Sequence, residues 1–92
     1  MIAATWKPDL KHGELDAKDR EELLESVYAF PKQRKEPLTD ADHVRNAMAR
    51  FNQVKEVSDD DRDLAFANIL KAARHFGVAI EEENWHQLGQ HS

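Results

Sequence analysis

"FPKQRKEPLTDADHVRNAMARF", residues 30–51, gathers five Lys or Arg residues and a His within a chain of formal net charge -5. Its second half carries the clearest helix signal in the sequence. Thr39 stands as N-cap with Asp42 three residues on, an Asp variant of the capping box, and Asp40 and Asp42 meet the positive end of the helix dipole. Val44, Met48 and Phe51 follow at i, i+4 and i+7, with Ala41 and Ala47 beside them, so one apolar stripe faces inward. The pattern predicts a helix over about residues 40–52. The first half behaves differently. Phe30 precedes Pro31 and is pushed out of the α region, Tyr28 and Phe30 favour extended backbone, and Pro31 and Pro37 bracket "KQRKE" so that neither end continues a helix. An ordered loop is expected there, with room for a very short β-hairpin near residues 28–38.

Working outward, "DAKDREELLESV" from Asp16 offers an N-cap, acids in the first turn and Leu23, Leu24 and Val27 as an apolar edge, which predicts a short helix over 17–26. Ser58 in "SDDD" repeats the start signal with Asp61 at N3. Leu64, Phe66, Ile69, Leu70, Ala73 and Phe76 then form a broad apolar face that ends at Gly77, a natural left-handed terminator, predicting the longest helix over 59–76. After "VAI", the segment "EEENWHQLG" can form one or two helical turns carrying Trp85 and Leu88. Residues 1–14, with Pro8 and Gly13 and no sustained period, read as an irregular N-terminal arm that Trp6 could pin to the domain. The expected organisation is that arm, one helical domain over 15–89 and a frayed tail over 90–92. The expected fold class is mainly α, a small bundle of three to four helices.

Ninety-two residues suffice for one core and not for two. With 34% charged and 40% hydrophobic residues the composition is that of a soluble globular domain with a thin core. Cysteine is absent, so disulfides, thiolate metal sites and cysteine nucleophiles are excluded, and a reducing, cytoplasmic setting fits. The start "MIAATWKPDLKHGE" lacks the apolar run of a secretory signal, and no stretch approaches the roughly 20 apolar residues of a membrane span. The acidic balance argues against coating nucleic acid over a broad surface but leaves room for a local basic patch.

On a helical wheel His43, Asn46 and Arg50 share one polar edge, opposite the apolar stripe. Lys32, Arg34 and Lys35 precede that helix by a few residues and can lie near its exposed side. Together these six residues could grip phosphate, a carboxylate or an acidic partner segment, Arg supplying the planar fork that binds such groups bidentately. The competing reading is a solvated face with internal ion pairs to Glu36, Asp40 and the Asp-rich start at residue 59. "DAD" and "SDDD" are explained by helix capping and lack a calcium loop. His12, His43, His75, His86 and His91 show no metal-binding spacing. Ser26 and Ser58 have neither a glycine-rich elbow nor a base at recognisable spacing, and no phosphate-binding loop is present, so no catalytic, metal or cofactor site is expected. Trp85 is expected as a lid on the core; an exposed Trp85 would instead mark a contact anchor.

"YAFPKQRKEPLTDADHVRNAMARFNQV" (28–54) and "VSDDDRDLAFANILKAARHFGV" (57–78) resemble a family of small, uncharacterised domains of bacterial and phage-associated proteins, and the closing "NWHQLG" resembles the end of its standalone members. Glu82 and Glu83 stand where that pattern has a Ser or Thr cap. The resemblance implies no established activity; its setting beside phage structural or maturation proteins implies an accessory or interaction role.

Three functions follow as expectations. The first is a non-enzymatic interaction module that binds a protein or another macromolecule through Lys32, Arg34, Lys35, His43, Asn46 and Arg50. The alternative is a nucleic-acid-binding domain using the same surface. In the third, the basic residues form internal ion pairs, with Arg45 or Arg50 buried against carboxylates.

Overall fold

The computed structural model describes residues 3–8, 25–82 and 85–87. Among these, two helices and a two-stranded antiparallel hairpin make a small α+β domain, which corrects the expected mainly α bundle of three to four helices. The expected helix at 17–26 lies outside the described residues except for Glu25 and Ser26, which are helical. Of the expected last helical segment, Trp85–Gln87 form a 3-10 turn, and Glu83, Asn84 and the residues from 88 on lie outside the described residues.

The short hairpin expected near residues 28–38 is present; the correction lies in its weight, since beside two described helices it is a full layer of the fold. Barred from helix by Pro31, the "YAF" run forms strand β1, Tyr28–Phe30, which pairs with β2, Lys35–Pro37, in the register Tyr28 to Pro37 and Phe30 to Lys35. Four residues connect the strands, and the Arg34 N–H donates to the Pro31 carbonyl at 3.3 Å. Arg34 (φ 52) and Glu36 (φ 58) both adopt left-handed backbone without glycine. Pairing continues past β2, where the Leu38 N–H donates to the Val27 carbonyl at 2.8 Å. The hairpin is a layer of the core rather than an appendage: Ala29 and Phe30 are buried with Leu38.

Helix α1 spans Ala41–Arg50 and runs on into a 3-10 turn, Phe51–Gln53. Its cap is Asp40, not the expected Thr39. Asp40 is extended (φ -159) and its carboxylate accepts the His43 N–H at 2.8 Å. Val44, Ala47 and Phe51 are buried and Met48 packs partly against them, as the stripe requires.

Helix α2, Asp59–Phe76, opens with a full capping box: the Asp61 N–H donates to Ser58 Oγ at 3.0 Å and the Ser58 N–H to Asp61 Oδ2 at 3.2 Å. It closes at Gly77, whose φ of 74 favours glycine, and the Val78 N–H reaches back to the Ala73 carbonyl at 2.8 Å in a Schellman arrangement. Ala65, Phe66, Ile69, Ala72 and Ala73 line its buried face, and Asn68 sits among them with no exposure. Phe51 joins the layers, with ring centroids 5.5 Å from Phe30 and 6.2 Å from Phe66.

Residues 3–8 have no regular structure, yet Trp6 is one of the largest side chains fully buried in the core.

Candidate functional site

Three basic residues from separate parts of the chain line one groove of about 310 Å³: Lys35 from β2, Arg50 from the last turn of α1 and Lys55 from the segment after the 3-10 turn. Glu36, Gln53 and Val54 complete its wall. Local chain geometry produces the cluster. The left-handed residues at Arg34 and Glu36 turn the hairpin so that β2 packs beside α1, and the 3-10 turn brings the chain back past the helix end. Among the described residues, the side chains of Lys35, Arg50 and Lys55 have no ion-pair or hydrogen-bond partner. Their charge is therefore available to an incoming anion.

The six residues singled out from sequence are distributed as follows. Lys35 and Arg50 meet at the groove. Asn46 is exposed on α1, and the helical spacing of 43, 46 and 50 keeps the expected edge along one side. His43 is exposed, but its Nδ1 lies 2.8 Å from Asp40 Oδ1, the oxygen that caps the helix. The His43 N–H holds the Asp40 carboxyl below its usual 3.8, with the imidazole contact adding to the effect. Arg34 is half-exposed and pairs with Glu25 at 3.4 Å. Lys32 faces another groove, with Thr5, Ser26 and Leu64, and lies near Asp61. The six do not all converge: two share the groove, two lie earlier along the exposed edge of α1, and two lie in the hairpin loop.

Internal ion pairing accounts for only part of the basic stretch. Arg45 pairs with Asp42 at 3.0 Å while its side chain stays 60% exposed, and Arg50 is exposed, so neither is buried against carboxylates as the third reading required. Such exposed pairs contribute at most about 1 kcal/mol.

A family model matches residues 10–83, from the described arm's far side through the end of the hairpin–helix core. The chain belongs to the family of unknown function DUF6582. No curated protein and no solved structure matches it. All three groove cations lie inside the DUF6582 match, whereas the arm at residues 3–8 lies outside it.

Sequence reasoning missed three residues of the DUF6582 domain. Lys55, in "NQVKEV", carries no local signal, because only the turn before it places it in the groove. Arg62 lies within the acidic run "DDDRD" and reads as solvated. In the structure its Nη1 donates to the Phe51 carbonyl at 3.1 Å and its Nη2 to the Val54 carbonyl at 2.9 Å. Its guanidinium lies 5.9 Å from the Phe51 ring and 5.6 Å from that of Trp85, so it buttresses one wall of the groove. Trp85 is half-buried, packs on the core and donates from Nε1 to Asp63 Oδ1 at 2.7 Å, which is the lid role. The third missed residue, Asn68, was detectable as the one amide on α2's apolar stripe.

Among the described residues, no group of three or more His, Cys, Asp or Glu could hold a metal ion. No helix among them is long and apolar enough to cross a membrane.

Proposed function

We propose that the domain is an interaction module that engages an acidic segment of a protein partner across the groove formed by Lys35, Arg50 and Lys55, with His43 and Asn46 as its flank. One observation carries the reading: three cations from separate elements line one groove, and none is neutralised by a described residue. Glu36 in the same wall selects against ligands of uniformly high negative charge and favours a mixed acidic peptide. That, with the net charge of -5, ranks a protein segment ahead of nucleic acid. Surface charge pairs contribute at most about 1 kcal/mol each, so three support only weak, salt-sensitive capture unless apolar contacts add to them. The role is binding rather than catalysis, in a cytoplasmic setting that the absence of cysteine favours. The phage association implied by the resemblance makes a structural or maturation protein a fitting partner.

The test is a titration of the isotope-labelled full chain with a soluble Glu/Asp-rich peptide and, separately, a short DNA duplex, followed by amide shifts. Shifts centred on Lys35, Arg50 and Gln53 to Lys55 are expected for the peptide, fading with added salt and lost in Lys35→Glu/Arg50→Glu. Equal shifts in that double variant would sink the assignment. A stronger, steeply salt-dependent response to the duplex would favour nucleic acid instead.

A further inference from the structure

The arm at residues 3–8 is held as a bound peptide would be held. Asn68 Oδ1 accepts two successive main-chain N–H groups of the arm, from Thr5 at 2.7 Å and Trp6 at 2.8 Å. Asn68 Nδ2 donates to Thr5 Oγ1 at 3.1 Å and to the Ala29 carbonyl at 2.9 Å, so the one amide ties the arm to both α2 and β1. All four hydrogen-bonding positions of the Asn68 amide are thereby used. The next arm N–H, that of Lys7, donates to the Ser26 carbonyl at 3.0 Å. The Trp6 indole donates to the Leu38 carbonyl at 3.1 Å, and its ring packs 5.5 Å from that of His75 and edge-on to Phe76 at 5.8 Å. Main-chain hydrogen bonds for affinity and one pocketed aromatic for selectivity are how sites for extended peptides work.

A second observation separates plug from socket. Every socket residue, Ser26, Ala29, Leu38, Asn68, His75 and Phe76, lies inside the family match at 10–83, whereas Thr5, Trp6 and Lys7 lie outside it. The matched residues thus carry a buried amide and a tryptophan-sized pocket whose occupant in this chain comes from outside the match.

We infer that this socket is a peptide-binding site for an extended segment bearing Thr-Trp, and that the chain's own arm occupies it in cis. Trp6 is buried, the hydroxyl of the exposed Thr5 still accepts from Asn68 Nδ2, and Lys7 is exposed, so the site reads the Trp ring, the main chain and the Thr hydroxyl and is tolerant at Lys7. Sixteen residues, 9–24, separate the arm from the rest of the described chain in sequence. The tethered arm competes with any such peptide at an effective concentration in roughly the millimolar range. The site is distinct from the basic groove, whose lining it does not share.

The experiment uses the full chain with a site-specific protease sequence inserted between Gly13 and Glu14, cut after folding. The arm fragment is expected to stay with the core on size exclusion. A fluorescein-labelled peptide of the sequence IAATWKPD should displace it saturably, read by anisotropy, and should bind the uncut chain at least about tenfold more weakly because the tethered arm competes. Replacing Trp by Ala in the labelled peptide should weaken binding about tenfold or more, and Thr by Val by a smaller factor. These substitutions fall on the ligand, so they leave the core's folding untouched. Three results would overturn the proposal: release of the arm with the core still folded, unfolding on cleavage that excess peptide does not reverse, or equal binding of the Trp-to-Ala peptide.

Discussion

Replacing Asn68 by Leu keeps the branched four-atom skeleton of the side chain, with somewhat larger methyl ends, and removes every hydrogen bond it makes, so it tests the amide's contribution. Four groups lose their partner: the N–H groups of Thr5 and Trp6, the Thr5 hydroxyl and the Ala29 carbonyl. Thr5 is exposed and its groups can turn to water. Trp6 and Ala29 are 1% and 0% exposed, so the Trp6 N–H and the Ala29 carbonyl stay buried and unpaired. Each such group costs about 1–3 kcal/mol, giving roughly 2–6 kcal/mol, offset by about 1 kcal/mol from the added apolar burial of Leu. A chain of this length has on the order of 5–14 kcal/mol of total stability, so the variant should be left marginal. Urea denaturation followed by circular dichroism reads the loss directly as a lowered midpoint at unchanged slope. The arm should loosen first, so amide exchange at Trp6 and Lys7 should quicken more than at Ile69. A loss below about 1 kcal/mol would refute the reasoning, since the arm would then be held by Trp6 packing and not by the amide.

Three further outcomes follow from the same geometry. Ser58→Ala removes half of the capping box and should cost about 1 kcal/mol by the same denaturation assay. Arg62→Met strips the Phe51 and Val54 carbonyls of their charged donor and should cost about 2 kcal/mol while changing Trp85 emission, because the guanidinium lies over that ring. Asp40 and Asp61 have carboxyls held below 3.8, chiefly by the N–H groups of His43 and Ser58 that donate to them. The folded state therefore binds their protons less readily than the unfolded chain. The stability they contribute should be complete above about pH 5 and lost as pH falls through 4 and on through their lowered values. A urea midpoint series from pH 7 to 2.5 should show that acid limb, and Asp61→Asn should flatten it.

What could be read from sequence here was whatever depends on residues three or four apart. Ser58 with Asp61, Gly77 after Phe76 and the Val44 to Phe51 stripe each act within a turn or two, so both described helices fall close to their expected bounds. The Thr39 cap slipped by one residue because two neighbouring side chains could each accept an N–H, and only the extended backbone at Asp40 decides between them. The fold class failed on helix count among the described residues, and the hairpin in "YAFPKQRKEP", expected only as a minor feature, forms a layer of the core. That hairpin depends on left-handed backbone at Arg34 and Glu36, and neither an Arg nor a Glu announces a positive φ as glycine would. The groove depends on that hairpin, which is why Lys35 and Arg50 could be nominated but their meeting with Lys55 could not.

Asn68 is the instructive exception, because its burial could have been inferred. Position 68 falls on the same stripe as Ala65, Ile69 and Ala72, and an amide there must find partners or cost several kcal/mol. No polar side chain of α2 sits one turn away on that stripe to satisfy it. Its partners therefore had to come from other parts of the chain. The "ATWKP" segment fits that requirement: its lack of helical or strand periodicity leaves its N–H groups unpaired, and its Trp demands burial. Those two demands, an amide in need of main-chain donors and a tryptophan on a segment with donors to spare, meet at Thr5 and Trp6. A socket built that way recognises backbone and one ring, and so is indifferent to whether the segment is joined to it.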